Sequence, residues 1–207
     1  MTRHRSREDR VGEILAAAAE VVDALGYPDL TMDAVARRTA LSKGGIYRYF
    51  ANKDDLALAL FELTLEAEIH VDEAEIFGWE LPLLETLLRL MMHDHRTEHA
   101  SRLHRIFLQL LPETLLKPAF RHAKQQIEDR YVTRYGQLVV ALLARDQVTP
   151  APGFLERLGV SLRLAATLME GMTYRLIGGT SHADLEAQCR RFLEAMLHSA
   201  LEAHDAP

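Results

Sequence analysis

Residues 31–50 read Thr31-Met32-Asp33-Ala34-Val35-Ala36-Arg37-Arg38-Thr39-Ala40-Leu41-Ser42-Lys43-Gly44-Gly45-Ile46-Tyr47-Arg48-Tyr49-Phe50. Thr31 is a good N-cap, and Met32, Val35, Ala36 and Thr39 recur at helical spacing. The pattern breaks at Ala40-Leu41, where Ser42 caps a second helix that is expected to run to about Phe50, with Ile46, Tyr49 and Phe50 inward. Two short helices around a tight turn make a helix-turn-helix, a unit that lays its second helix in a DNA major groove. The outward positions of that second helix are suited to meeting DNA. Ser42 offers a hydroxyl, Lys43 and Arg48 offer cations, and Tyr47 offers a phenol. Gly44 and Gly45 are poor helix formers. Their place at a helix start makes sense where something bulky, such as a DNA strand, approaches the backbone closely.

The flanking residues support the same unit. Upstream, Val11, Ile14, Leu15, Ala18, Val21, Val22 and Leu25 form one apolar stripe of a helix over about 7–25, ended by Gly26 and Pro28. Downstream, Asn52 is placed to cap a further helix, with Asp54 and Asp55 in its first turn. Lys53 then stands at a helix start beside free backbone N–H groups, where a phosphate fits. Arg3, Arg5 and Arg7 form a basic arm that reads equally well as a minor-groove contact or as a loose tail. We expect Lys43, Gly44 and Arg48 at base edges, and Thr31, Tyr47 and Lys53 on phosphates.

The run from Thr31 to Leu56 resembles the DNA-binding module of the TetR family of bacterial repressors, whose pattern is roughly T-x-x-x-I-A-x-x-A-G-V-S-x-G-x-I-Y-x-Y-F-x-x-K-x-x-L. Matching positions are Thr31, Val35, Ala36, Leu41, Ser42, Gly44, Ile46, Tyr47, Tyr49, Phe50, Lys53 and Leu56. Thr39-Ala40 departs from it, standing where Ala-Gly is usual. If the turn needs a left-handed residue, Ala40 costs roughly 1 kcal/mol. The resemblance covers residues 8–56. It implies an all-α chain of about nine helices, with a helix-turn-helix DNA-binding domain at 1–52 and a ligand-binding and dimerisation domain at 53–207. It also implies a homodimeric repressor on a palindromic operator, released by a small-molecule effector.

The body reads as helices over about 81–95, 97–111, 117–144, 154–177 and 181–203, with Thr149-Pro150-Ala151-Pro152-Gly153 as the clearest linker. A short break is expected at Phe77-Gly78-Trp79. Leu155, Leu158, Leu162, Ala165, Met169, Met172 and Leu176 are spaced alternately by three and four, a seam of the kind that packs helix on helix. Val160, Leu164 and Leu168 give the same helix a second apolar side. Two late helices that are apolar on more than one side call for a partner subunit, and in the TetR family the last two helices pair with their copies. Leu162, Met169, Phe192 and Met196 are the candidate dimer residues. Phe61, Leu65, Met92, Phe107, Tyr131, Tyr135, Met169 and Tyr174 are candidates to line an apolar ligand cavity, although core packing accounts for them equally. The helix beginning at Lys53 is expected to connect such a cavity to the DNA-facing end, with Glu62, His95 or His99 as polar ends.

The 207 residues carry a net charge of -6. Nine Arg/Lys and nine Asp/Glu precede residue 56, so all the excess negative charge lies beyond the N-terminal module, which suits a DNA-facing end on an acidic body. Cys189 is the only cysteine; no intrachain disulfide is possible, and a buried structural role is the ordinary one. No apolar leader and no membrane-length apolar run are seen, so a cytoplasmic protein is expected. No phosphate loop, CxxC pair, HExxH motif or nucleophile elbow is present, so neither an enzyme nor a cofactor is expected. His95 and His99 have ligand spacing on one helical face, which leaves a metal-responsive repressor as the competing switch. A DNA-binding regulator without any effector is a further alternative.

Overall fold

The computed structural model describes residues 6–68, 72–93 and 98–201. Arg3, Arg5 and His95 lie outside these residues, as does the His99 side chain. Among the described residues there are eleven α-helices, one 3-10 turn and no strand. No described helix is long and apolar enough to cross a membrane.

Helix α1 spans Arg7–Leu25. Ser6 caps it reciprocally: its Oγ accepts from the Asp9 N–H at 3.0 Å, and its own N–H donates to Asp9 Oδ2 at 2.9 Å, which satisfies two donors left over at a helix start. The helix buries Ile14, Ala17, Ala18, Ala19, Val21 and Val22. Gly26 ends it at φ +92°, a conformation that suits glycine. A 3-10 turn at Tyr27–Asp29 leads to α2 (Met32–Ala36), α3 (Lys43–Tyr47) and α4 (Lys53–Glu68). The Thr31 and Ser42 hydroxyls cap α2 and α3 as their sequence suggests, accepting from the N–H groups of Ala34 and Gly45 at 3.0 and 3.1 Å.

The turn between α2 and α3 corrects one expectation. Among the described residues, the non-glycine positions with positive φ are Glu80 and Gln147. Ala40 is not left-handed, so the strain considered for it does not arise. The turn is tightened instead by i→i+3 bonds from the N–H groups of Arg38 and Thr39 to Val35 and Ala36, and by the Leu41 N–H on Thr39 Oγ1 at 3.3 Å.

The remaining helices are α5 (Glu73–Gly78), α6 (Leu83–His93), α7 (Glu98–Leu110), α8 (Glu113–Leu116), α9 (Pro118–Arg145), α10 (Phe154–Ile177) and α11 (His182–Leu201). Contacts divide the chain into two compact units, Met1–Ala67 with Arg102–Lys124, and Glu68–Ser101 with Gln125–Pro207. Apart from its last residue, α4 falls in the first unit. The described helices with at least one turn in each unit are α7 and α9, so the expectation that the helix starting at Lys53 is the continuous connector is not met.

In the first unit, Phe61 of α4 is fully buried and stacks on Phe107 of α7 with ring centroids 5.7 Å apart; Phe120 of α9 lies against it at 5.4 Å. Arg105 of α7 donates through two nitrogens to the Asp23 carboxylate of α1. In the second unit, α11 packs on both α6 and α10. Leu185, Cys189, Leu193 and Met196 of α11 are buried, as are Leu158, Leu162, Ala165, Met169 and Met172 of α10. Arg190 of α11 grips the Glu85 carboxylate of α6 with both terminal nitrogens.

This packing changes the dimer candidates. Leu162, Met169 and Met196 are buried within their own subunit, at 4, 7 and 5 % exposure, and Phe192 is half-buried. A side chain already this enclosed has little surface left to bury against a partner. From Leu158 to Met172 the seam read from the sequence is therefore α10's inward face, while Leu155 at its start is exposed. Its other apolar side stays outside, with Val160 69 %, Leu164 53 % and Tyr174 71 % exposed.

Candidate nucleic-acid interface

The candidate DNA contacts gather on α2, α3 and the start of α4, all within the first unit. Thr31, Ser42, Lys43, Gly44, Tyr47 and Arg48 are exposed, and Lys53 is half-buried. The inward positions explain why. Met32, Ala34 and Val35 of α2, together with Ile46 and Phe50, are buried, so the alternate helical positions face away from the core. A Cβ built on Gly44 would meet no protein atom closer than 4.0 Å, that atom being Ser42 Oγ. Nothing inside the chain demands a glycine there.

Two of the candidate cations have internal partners that sequence reasoning missed. Lys43 Nζ lies 2.6 Å from Asp33 Oδ2, and this hydrogen bond raises the lysine's pKa above its ordinary value. Lys53 Nζ donates to the carbonyls of Tyr27 and Pro28 at 3.0 and 3.1 Å and sits 4.4 Å over the Tyr27 ring. No spacing rule reveals the second arrangement, because it depends on where the 3-10 turn places its carbonyls. Asp33 lies in the first turn of α2, and the turn brings Lys43, ten residues on, back to it.

At the hydroxyl of the same tyrosine, Lys117 Nζ approaches to 3.2 Å and also contacts Asp54 and Glu113. Burial lowers the Lys117 pKa, but the hydrogen bonds to Asp54, Glu113 and Tyr27 outweigh it and hold the group above the ordinary lysine value. Burial also raises the Tyr27 pKa, against the lowering effect of its bond to Lys117.

Residues 14–60 match the family model described as "Bacterial regulatory proteins, tetR family". In this module the chain is similar to the TetR family. A curated relative, the HTH-type transcriptional activator FasR of Mycolicibacterium smegmatis, is 39% identical over 56 residues, 27% of this chain and 26% of that protein. An uncharacterized HTH-type transcriptional regulator of Bacillus subtilis, YhgD, is 36% identical over 83 residues, 40% of this chain and 43% of that protein, so the matches span less than half the length of either curated relative. Beyond the module, the likeness to solved structures is one of fold. A transcriptional regulator from Rhodococcus sp. Rha1 superposes with a TM-score of 0.71 at 15% identity, covering 93% of this chain and 98% of that one. FadR from Bacillus subtilis, solved in complex with stearoyl-CoA, gives 0.67 at 18% identity, covering 91% and 98%.

The eight ligand candidates are divided between the units. Phe61, Leu65 and Phe107 are buried in the first. Met92, Tyr131, Tyr135 and Met169 are buried in the second, where the Tyr131 hydroxyl lies 3.6 Å from Met169 Sδ and the two tyrosine rings are 4.3 Å apart. Tyr174 faces outward. The second unit also holds an open groove of about 500 Å³ between α9 and α10, lined by Val132, Gly136, Val140, Leu155, Gly159 and Leu162 among others. None of the eight candidates lines it. Its signal was the i, i+4, i+8 run of Val132, Gly136 and Val140 on one face of α9. Among the described residues, no group of three or more His, Cys, Asp or Glu is arranged to hold a metal ion.

Proposed function

We propose that this chain is a DNA-binding transcriptional regulator, a repressor that binds a palindromic operator as a dimer and is released by a small, largely apolar ligand. Residues 1–52 bind DNA; residues 53–207 carry ligand binding and dimerisation, in the cytoplasm. The observation that carries the reading is the exposed set on the helix-turn-helix: Thr31, Ser42, Lys43, Gly44, Tyr47 and Arg48 stand outward while the other faces of α2 and α3 are buried. The open space at Gly44 supports close approach of a nucleic-acid backbone.

A second copy accounts for the uncovered side of α10, where Val160, Leu164 and Leu168 stand exposed. Two recognition helices about 34 Å apart, or a small multiple, would then meet successive major grooves. An apolar effector suits the almost wholly apolar groove between α9 and α10, whose size is that of small-molecule sites. The fold neighbour solved with stearoyl-CoA is in keeping with that ligand class.

A gel shift with the DNA upstream of the chain's own coding sequence tests the reading, repeated with apolar metabolites and with zinc or copper. Specific retardation, relieved by apolar compounds and indifferent to metal, is expected. Retardation that nothing relieves favours a regulator without an effector, and absence of any shift removes the proposal. A reporter placed downstream of the retarded DNA gives the sign of regulation.

A further inference from the structure

Tyr27 contacts two lysines. On its ring face, Lys53 Nζ sits 4.4 Å from the centroid and spends two of its donors on the Tyr27 and Pro28 carbonyls. At its hydroxyl, Lys117 Nζ approaches to 3.2 Å while also holding Asp54 at 2.6 Å and Glu113 at 2.7 Å. The Tyr27 N–H donates to Gln109 Oε1 at 3.0 Å, and Gln109 Nε2 donates to the Val22 carbonyl at 3.2 Å. All these residues belong to the first unit. The segment from Gln109 to Lys117 therefore fixes Tyr27 at its backbone and its hydroxyl, and Tyr27 in turn fixes Lys53.

An ammonium has three donors. Lys53 uses two on the protein, which leaves one; at the start of α4, Asn52 Oδ1 takes the Asp55 N–H, and the N–H groups ahead of it have no partner within the helix. A lysine is a flexible chain whose freedom is lost when it grips a phosphate. One that is already seated loses less on binding.

We propose that Lys117 is a positioning residue for the DNA backbone: acting through Tyr27, it seats Lys53 so that one N–H remains for a phosphate. The inference rests on the DNA-binding reading above and adds a residue remote in sequence from the helix-turn-helix. Lys117 itself makes no phosphate contact. Its ammonium is already occupied by Asp54, Glu113 and Tyr27.

Phosphate contacts can be counted without knowing the operator, because each one lost flattens the slope of log K against log salt by about 0.9 on B-DNA. The probe is a random-sequence 30-base-pair duplex, titrated by fluorescence anisotropy between about 50 and 200 mM salt. Wild type, Lys53→Ala, Lys117→Met and the double variant are compared, with thermal unfolding as the check on folding. Each single variant should bind several-fold more weakly, with the slope flattened by about one contact per chain. The double variant should match Lys53→Ala in slope, because both changes remove the same contact. An unaltered slope in Lys117→Met overturns the proposal, and so does a double variant that loses two contacts. Should Lys117→Met not fold, Tyr27→Phe removes only the hydroxyl: a flatter slope supports the proposal, and a wild-type slope overturns it. A wild-type protein without salt-dependent binding instead overturns the DNA-binding reading on which this one rests.

Discussion

Lys43, the first residue of α3, holds its ammonium 2.6 Å from the carboxylate of Asp33 in the first turn of α2. The pair ties together the two helices of the DNA-binding unit at their exposed ends, and it places a negative charge beside a cation proposed to reach base edges. Removing the charge should strengthen binding to any duplex. Asp33→Asn is expected to raise affinity for random-sequence DNA and to steepen its salt dependence by up to about one contact, since Lys43 becomes free to meet a phosphate. Anisotropy titrations at several salt concentrations check this. Weaker binding would mean that the carboxylate aims Lys43 productively.

Arg48 should behave differently. It is the exposed C-cap of α3, and a guanidinium there can read a guanine edge. Arg48→Ala is expected to relax base preference at one position per half-site, at a cost of roughly 1–3 kcal/mol on the preferred sequence. Selection from a randomised duplex pool gives the preference directly, and an unchanged preferred sequence would rule out readout by Arg48.

The two apolar sides of α10 separate assembly from folding. Met169 faces the subunit's own core and Leu164 faces out. Leu164→Glu should yield a folded monomer with little specific DNA affinity, whereas Met169→Glu should unfold the second unit by burying an unpaired charge. Sedimentation and thermal melts on both variants distinguish these outcomes. A wild-type monomer at micromolar concentration would remove the dimer from the proposal.

Ala40 occupies the turn where the family favours glycine, yet it does not adopt a positive φ. Restoring the family residue should therefore not stabilise this chain. Ala40→Gly is expected to lower stability by about 0.4–1 kcal/mol, because glycine adds freedom to the unfolded chain and relieves no strain here. A rise in the melting midpoint would show that the turn prefers a left-handed residue after all.

The Glu85–Arg190 pair makes stability depend on pH. The hydrogen bond from Arg190 lowers the Glu85 pKa below its ordinary 4.5. A depressed carboxylate contributes stability above its unfolded pKa and loses it as pH falls through the folded value. Melting midpoints should therefore drop as pH is lowered from about 5 toward the depressed folded pKa, and Glu85→Gln should be less sensitive across that window. Equal acid sensitivity in both proteins would mean that the α6–α11 pair contributes nothing measurable.

The long helices were legible because each carries its own punctuation. Gly26 closes α1 as read from the sequence, and Gly178 closes α10 directly after the expected end at residue 177. The short helices α5 and α8 were not, since six and four residues leave no room for a helical period to declare itself. On α10, spacing identified two apolar faces but could not say which one the subunit's own helices would cover, and the seam named for the partner proved to face inward. At the DNA-facing end, residue types identified the exposed positions. The partners of Lys43 and Lys53 come from the turns at either side of α2, and only folding brings them together.

Cys189 is buried on α11, its sulfur 3.2 Å from Met172 of α10, and burial raises its pKa. Both effects shield the thiol from alkylating reagents while the two helices stay together. The chain has no other cysteine to give a competing signal. It therefore carries a built-in clock: the rate at which a thiol reagent modifies the native protein times the openings of the α10–α11 pair.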